Sequence, residues 1–337
     1  MLPMDPYILF KYILFIFVII HCFKFRGIYK TLLLFFGAVI IGGGIENVNV
    51  IFGGYEYPAI DGGTILTIPI GKCPLDIIFG WFIIIYCCSY FSHSLIGKFR
   101  GSYHIMGVGT KPDAINNLFL RDTILRAALS GFLAITLDFI IDPTAVANEW
   151  WIWRINNIYV LDVPLGNFLG WWSLIFWGVF FYDMIVTYGS VKQLKELKIS
   201  GLWVVGTLLT ALFTGLVLMA TNAWWGMEGI RTDMGGQTSA FHPEITSERL
   251  EGIIGALVMV VVAIGAILLA SQAPNKLPEP RPTQYLWKIL PSLYMLSFWG
   301  FVFIMALLTS PQVAAAGVLF CITFLIACIY LIVRPYE

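Results

Sequence analysis

Long apolar runs recur along the whole chain, and short polar segments separate them. A run of about 20 apolar residues can cross a bilayer as a helix. The pattern predicts an all-α, polytopic integral membrane bundle of about nine transmembrane helices, forming a single domain over residues 1–337. The expected spans are 7–23, 30–50, 74–96, 123–142, 168–188, 201–222, 253–271, 284–309 and 311–333. Only Ser310-Pro311 separates the last two, so eight spans with a partly re-entrant hairpin also fit.

Composition supports a membrane location and narrows the partners. Of the 337 residues, 59% are hydrophobic and 12% are charged, whereas a soluble domain carries roughly 25% charged residues. No polar segment is long enough for a separate soluble domain. Lys plus Arg and Asp plus Glu balance at 20 each, so no basic surplus indicates nucleic acid. We expect a multi-pass protein of the cell membrane whose surroundings are the lipid bilayer; the oligomeric state stays open.

The distribution of positive charge predicts the orientation. Cytoplasmic loops of membrane proteins are enriched in Lys and Arg. With the N-terminus outside, fifteen of the twenty Lys and Arg residues fall on the cytoplasmic side. The outer side receives the other five, which are Lys11, Lys72, Arg154, Arg231 and Arg249. Nine spans with the C-terminus in the cytoplasm satisfy this bias.

Three connecting segments stand out. Residues 53–74 are rich in Gly and Pro and predict a loop that covers one mouth of the bundle. Residues 224–251 are acidic and predict an outer loop or cap, and the Pro-rich segment 275–282 predicts a cytoplasmic connector. Six cysteines occur without a C-x-x-C pair, which is typical of small packing residues.

Four carboxylates lie at the ends of predicted spans. Glu46 follows Gly42-Gly43-Gly44 at the end of the second span, Asp76 opens the third, and Asp138 and Asp142 close the fourth. An ionisable group within a span costs at least about 2.5 kcal/mol at the helix centre, so each needs a role. In the deduced topology all four lie toward the outer side.

The spacing of Asp138 and Asp142 suggests acid–base chemistry. They are four residues apart and share one helix face. Two such carboxylates repel when both are charged, so they can hold one proton between them and supply an acid and a base at the same pH. The structural alternatives are that Asp142 caps a helix end or accepts from an aromatic N–H, and that Asp76 is simply a favoured residue at a helix N-terminus.

Aromatic residues are dense between positions 150 and 172. The cluster consists of Trp150, Trp151, Trp153, Tyr159, Phe168, Trp171 and Trp172. Interfacial aromatic belts account for part of it. The cluster also suits the wall of a site for a long apolar ligand, where aromatic faces can stabilise a carbocation.

Several classes of enzyme lack their motifs in this sequence. The four histidines are at least eleven residues apart, so the clustered histidine motifs of membrane di-iron enzymes are absent. No G-x-S-x-G, P-loop or G-x-G-x-x-G motif occurs. Oxygen activation, nucleotide-dependent hydride transfer and ATP-driven work are therefore not expected.

Four stretches carry a resemblance to a known family. They are Glu46 with Gly53-Gly54-Tyr55-Glu56-Tyr57, Ile68-Pro69-Ile70 with Pro74 and Trp81, Asp138 through Asp142-Pro143 with Trp151-Ile152-Trp153, and Val163 to Trp171. The chain resembles, most strongly over residues 40–190, the carotenoid-biosynthesis membrane family that includes bisanhydrobacterioruberin hydratase and carotenoid 1,2-hydratase-type enzymes. The family is similar to archaeal enzymes that hydrate geranylgeranyl lipids. Residues 200–337 match only in hydropathy.

The resemblance implies a hydro-lyase that adds water to a terminal C=C bond of an isoprenoid or carotenoid and gives a tertiary alcohol, with no metal and no cofactor. Residue pattern and resemblance together give these expected catalytic residues: Glu46, Asp138, Asp142 and Asn167. The expected substrate-binding residues are Tyr55, Tyr57, Trp81, Trp153, Phe168 and Trp171. Asp76 and Glu149 are further candidates. Glu149 and the acidic loop before residue 251 depart from the family pattern and leave the substrate open.

Two other functions remain as alternatives. An intramembrane prenyltransferase would use a D-x-x-x-D pair such as Asp138 to Asp142 to hold Mg²⁺-diphosphate, although Ala134 replaces the expected Asn and no second aspartate pair occurs. A proton-coupled transporter or lipid-binding protein would use intramembrane carboxylates as a proton relay. No inverted repeat supports a transporter.

Overall fold

The computed structural model describes residues 6–51, 55–57, 73–100, 117–153, 159–224 and 282–333. Its helices in chain order are α1 (Pro6–Arg26), α2 (Ile28–Ala38), α3 (Gly44–Ile51), α4 (Leu75–Arg100), α5 (Asn117–Ala147), α6 (Leu165–Val191), α7 (Glu196–Trp224), α8 (Pro282–Thr309) and α9 (Pro311–Val333). A π-helical turn, Val39–Gly43, joins α2 to α3.

Seven of the predicted spans coincide with helices that are long and apolar enough to cross a membrane. The helix pair that forms α9 bends by 59° between Leu319 and Phe324, so it gives an eighth span only if the broken helix is counted as one. The predicted span 253–271 and most of the acidic segment 224–251 lie outside the described residues. All six cysteines are buried and free, as expected for packing residues.

Helix α5 is longer than the sequence indicated. The fourth span was predicted to close at Asp142, but α5 continues through Pro143 to Ala147. A proline removes one backbone hydrogen bond, and helices in membrane bundles continue through it where other groups satisfy the freed carbonyl. Because Asp142 lies inside the helix, it does not cap the helix end.

The interior of the bundle is built around α4 and α5. Helix α5 packs against α4, α6, α8 and α9, and α6 packs against α7. One face of α7 presents Leu208, Leu212 and Leu216 outward at intervals of four residues. Exposed leucines at this helical spacing form an apolar stripe suited to lipid.

Two short strand pairs cover one end of the bundle. Strand β1 (Tyr55–Glu56) pairs antiparallel with β2 (Ile152–Trp153), with Tyr55 opposite Trp153. Strands β3 (Tyr159–Val160) and β4 (Val163–Pro164) form a hairpin whose two turn residues both have positive φ. Of the Gly- and Pro-rich segment 53–74, the structure describes residues 55–57, 73 and 74, so most of the predicted loop lies outside the described residues.

A buried cluster of charged residues joins four helices at the opposite end. Nε2 of His93 lies 2.9 Å from Oδ2 of Asp183, and Nε of Arg126 lies 3.6 Å from the same oxygen. Arg26 donates to the hydroxyl of Ser89 at 2.7 Å. Arg26 and Arg126 are among the fifteen residues counted on the cytoplasmic side, and the structure places Arg26 at the end of α1 and Arg126 within α5, with both side chains buried. Paired partners on neighbouring helices make their burial tolerable.

Candidate active site

Three of the predicted carboxylates come together at one end of the bundle. Glu46 lies in α3 at 9% exposure, while Asp138 and Asp142 lie in α5 at 0% and 3%. Glu46 is close enough to interact electrostatically with both aspartates. Carboxylates from two separate helices therefore share one buried environment, which is the arrangement that a proton-transfer site requires.

Glu46 accepts a hydrogen bond on each of its oxygens. The hydroxyl of Tyr57 donates to Oε2 at 2.9 Å, and the indole N–H of Trp81 donates to Oε1 at 2.9 Å. Burial, with the neighbouring Glu46 carboxylate adding to it, raises the pKa of Tyr57 well above its ordinary value, so its hydroxyl keeps the proton that it donates. The two donors hold the Glu46 carboxylate in one orientation as a hydrogen-bond acceptor.

Glycine makes the approach of Trp81 to Glu46 feasible. A Cβ atom at Gly42 would lie 2.5 Å from the indole ring of Trp81, and one at Gly43 would lie 2.9 Å from Ile78. Both glycines belong to the π-helical turn, in which each inserted residue rotates the following side chains by about 100°. The π-helical turn thus determines which face of α3 carries Glu46, and its glycines let α4 pack closely against the turn.

We expect Gly42→Ala to lower activity and Gly44→Ala to leave it unchanged. The added methyl group at Gly42 must displace Trp81 and its hydrogen bond to Glu46, an overpacking that costs about 1–3 kcal/mol. A Cβ at Gly44 meets no atom within 4 Å, and alanine in a helix is more stable than glycine by roughly 0.5–1 kcal/mol. Turnover and thermal stability of both variants in detergent measure the contrast. Equal effects of the two substitutions would contradict the assigned role of Gly42.

The two aspartates form one unit with an amide from α6. Nδ2 of Asn167 donates to Oδ2 of Asp142 and, at 3.2 Å, to Oδ2 of Asp138. Both carboxyl groups thus meet at one amide group. Like charges this close disfavour double ionisation. A pair that carries one proton between its two carboxyl groups is suited to act as an acid.

A cavity of about 530 Å³ opens beside these groups and is called here the first compartment. Glu46, Asp142 and Asn167 all line it. Its apolar wall contains aromatic residues and residues from α4, α5 and α8, which are Tyr55, Tyr57, Ile77, Gly80, Trp81, Ile84, Ile141, Trp151, Trp153, Trp171 and Phe298. A mostly apolar cavity with a few convergent polar groups is the usual form of a small-molecule site.

A second compartment of about 600 Å³ adjoins the first. The two share six lining residues, which are Glu46, Tyr55, Trp81, Trp153, Asn167 and Trp171. The second extends toward α7, where Thr214 and Leu218 line it. Glu46 and Asn167 therefore stand at the junction of the two compartments.

Five of the six predicted substrate-binding residues line the first compartment. The rings of Trp81 and Trp171 lie 4.5 Å apart between centroids, and those of Tyr55 and Trp153 lie 4.9 Å apart. Phe168 is placed differently, because it is fully buried and stacks on Phe139 at 4.4 Å rather than lining either compartment. Phe168 therefore packs against α5 instead of lining the cavity.

The two further candidates lie apart from the carboxylate cluster. Glu149 is exposed in the turn after α5, with a φ of 55°. Asp76 is 2% exposed and forms an ion pair with Lys11, which is also 2% exposed. The ion pair with Lys11, rather than the general preference for a carboxylate at a helix N-terminus, explains why the buried Asp76 is tolerated at the start of α4.

Sequence reasoning missed Lys11, which lines the first compartment. The charge count had used it only as an outer-side charge, and the structure places it inside α1. A lysine within a predicted span is itself an intramembrane charge, and such charges usually pair; that rule could have found it. Thr214 and Phe298 were also missed as lining residues, and no motif marks them, whereas Trp151 belongs to the aromatic cluster that the sequence indicated.

The fold and the site define a helical membrane protein with a buried carboxylate site next to an apolar, aromatic-walled cavity. The sequence model of the family described as carotenoid biosynthesis protein matches residues 7–228. The chain belongs to this family. The match includes every catalytic candidate and supports a role in carotenoid biosynthesis, the pathway that the motifs indicated. No curated protein and no solved structure matches the chain.

Proposed function

We propose that the protein is a hydratase that adds water across the terminal C=C bond of an acyclic isoprenoid and forms a tertiary alcohol. The observation that supports this most is the placement of two aspartates joined by one amide, and a doubly hydrogen-bonded glutamate, beside one apolar cavity. Family membership makes a carotenoid precursor the first substrate to test. A geranylgeranyl lipid is the second.

The acid in this proposal is Asp142. Of the two aspartates, Asp142 lines the first compartment, whereas Asp138 is fully buried behind it. A trisubstituted alkene is a weak base and needs a neutral carboxylic acid held against it. Proton transfer from Asp142 to the less substituted carbon leaves a tertiary cation, which the faces of Trp81, Trp153 and Trp171 can stabilise.

The base is Glu46. Water attacks the cation and forms the new C–O bond, and Glu46 takes the proton that the attacking water releases. The hydrogen bonds from Tyr57 and Trp81 hold the carboxylate in place for this proton transfer. Return of that proton from Glu46 to the aspartate pair restores the starting state, so the reaction consumes only the alkene and one water.

The isoprenoid enters from the bilayer in this scheme. Its terminal bond lies in the first compartment against Asp142, among apolar and aromatic side chains. A chain that stays largely in lipid does not need a cavity for its whole length. The family's pathway and the apolar walls are both consistent with such a lipophilic substrate.

Isotope labelling tests the reaction class. The purified full chain in detergent is incubated with an acyclic carotenoid or a geranylgeranyl lipid in ¹⁸O-labelled heavy water. We expect one ¹⁸O in the hydroxyl group and one deuterium on the neighbouring carbon of each product molecule. Oxygen derived from O₂ instead of water would overturn the proposal, as would the absence of product with both substrates.

A further inference from the structure

The second compartment contains polar atoms that the protein leaves without hydrogen bonds. Within the described residues, Oγ1 of Thr214 and Nε1 of Trp153 have no hydrogen-bond partner. Thr214 is 1% exposed and Trp153 is 7% exposed, so neither reaches bulk water. Both line the second compartment together with Glu46 and Asn167.

Buried polar atoms without partners in the protein call for a bound molecule. Such atoms are rare in folded proteins, and an ordered water or a ligand commonly accounts for them. A water needs about two to four polar partners in a cavity that is large enough. The second compartment supplies a hydroxyl, an indole N–H, an amide and a carboxylate, and it has room for more than one water.

We propose that the second compartment holds the nucleophilic water of the reaction and that the hydroxyl of Thr214 positions it beside Glu46. The inference rests on the proposed hydratase function and divides the cavity between the two reactants. The isoprenoid end occupies the first compartment, and water occupies the second. Glu46 stands at the junction and can receive the proton of the water as the C–O bond forms.

This division predicts what happens when the water is held poorly. The tertiary cation has two fates, which are capture by water to give the alcohol and loss of a proton from a neighbouring carbon to Glu46 to return an alkene. In heavy water the proton added by Asp142 is a deuteron. Each return to alkene that releases a protium therefore leaves deuterium in the recovered substrate, and the ratio of deuterated alkene to alcohol measures how well water competes.

The experiment compares Thr214→Val with Thr214→Ser and Thr210→Val in the full chain. Valine keeps the shape of threonine but removes the hydroxyl, and serine retains it. Thr210 lies one turn away on α7 and is equally buried, but its hydroxyl already bonds to the carbonyl of Gly206 at 2.8 Å. It is thus a matched control outside the cavity lining.

We expect Thr214→Val to form alcohol roughly threefold to tenfold more slowly, the effect of losing one neutral hydrogen bond. The ratio of deuterated alkene to alcohol should rise by a similar factor, and KM for the isoprenoid should not change. Thr214→Ser and Thr210→Val should keep the wild-type ratio. Because the readout is a ratio, it does not depend on how much of a variant folds.

Two results would overturn the inference while the hydratase function stands. One is a wild-type ratio in Thr214→Val with an unchanged KM for the isoprenoid. The other is a wild-type ratio with a raised KM, which would place the isoprenoid chain in the second compartment. If wild-type protein gives neither alcohol nor deuterated alkene, the proposed function itself fails.

Discussion

Replacement of Glu46 by Gln, or of Asp142 by Asn, is expected to abolish measurable hydration. Each change keeps the size of the side chain but removes the group that accepts or donates a proton. Loss of a positioned general acid or base typically lowers the rate by roughly 10²–10⁴-fold. The double variant should be little slower than either single variant, because residues that act as one unit are not additive.

The control for these variants is Asp122→Asn. It makes the same chemical change near the start of α5, the helix that carries Asp142 at its other end. Its turnover should equal that of the wild type. Substrate conversion in detergent, with folding checked by thermal denaturation, is the measurement. Survival of activity in both Glu46→Gln and Asp142→Asn would falsify the assignment of the site.

Loss of Asp183 is expected to destabilise the protein more than any change in the carboxylate site. Asp183 is the buried carboxylate that faces both His93 and Arg126, so Asp183→Asn leaves the buried guanidinium of Arg126 without its counter-charge. Removal of one partner of a buried ion pair costs about 3–5 kcal/mol. Thermal denaturation of the purified protein in detergent should show a clearly lower midpoint.

Arg121→Gln serves as the matched comparison for charge removal. Arg121 is 56% exposed and lies 3.7 Å from Asp122, so this pair is exposed to its surroundings on one side. An exposed ion pair contributes about 0–1 kcal/mol, and the midpoint should hardly move. A fall as large as that of Asp183→Asn would mean that the buried cluster has no special role in stability.

The two groups of variants are expected to have different effects, one on activity and the other on stability, so together they separate function from stability. Glu46→Gln and Asp142→Asn should lose activity with little change in the midpoint of thermal denaturation, since the neutral isosteres keep most of the contacts of the original side chains. Asp183 lies at the far end of the bundle, away from the residues that line the two compartments. Its substitution should lower stability first, and activity only through the amount of folded protein.

Local sequence rules were sufficient for seven of the predicted spans and for the choice of candidate carboxylates. A run of apolar residues predicts a membrane helix because the backbone must satisfy its own hydrogen bonds in lipid. A charge in or next to such a run signals a role because it is costly there. These two rules placed seven helices and selected Glu46, Asp138 and Asp142 as candidates.

Contacts between distant parts of the chain could not be predicted in this way. Nothing local pairs Lys11 with Asp76, directs Tyr57 and Trp81 onto Glu46, or brings Thr214 to the cavity, since each contact depends on how several helices pack. The burial of Arg26 and Arg126 was beyond sequence reasoning for the same reason, because a basic residue near a helix end can turn inward when another helix supplies its partner. The sequence alone thus determined a membrane bundle with acids at its helix ends. Only the tertiary structure decided which acids meet, because side chains from separate helices find each other through packing that no single segment encodes.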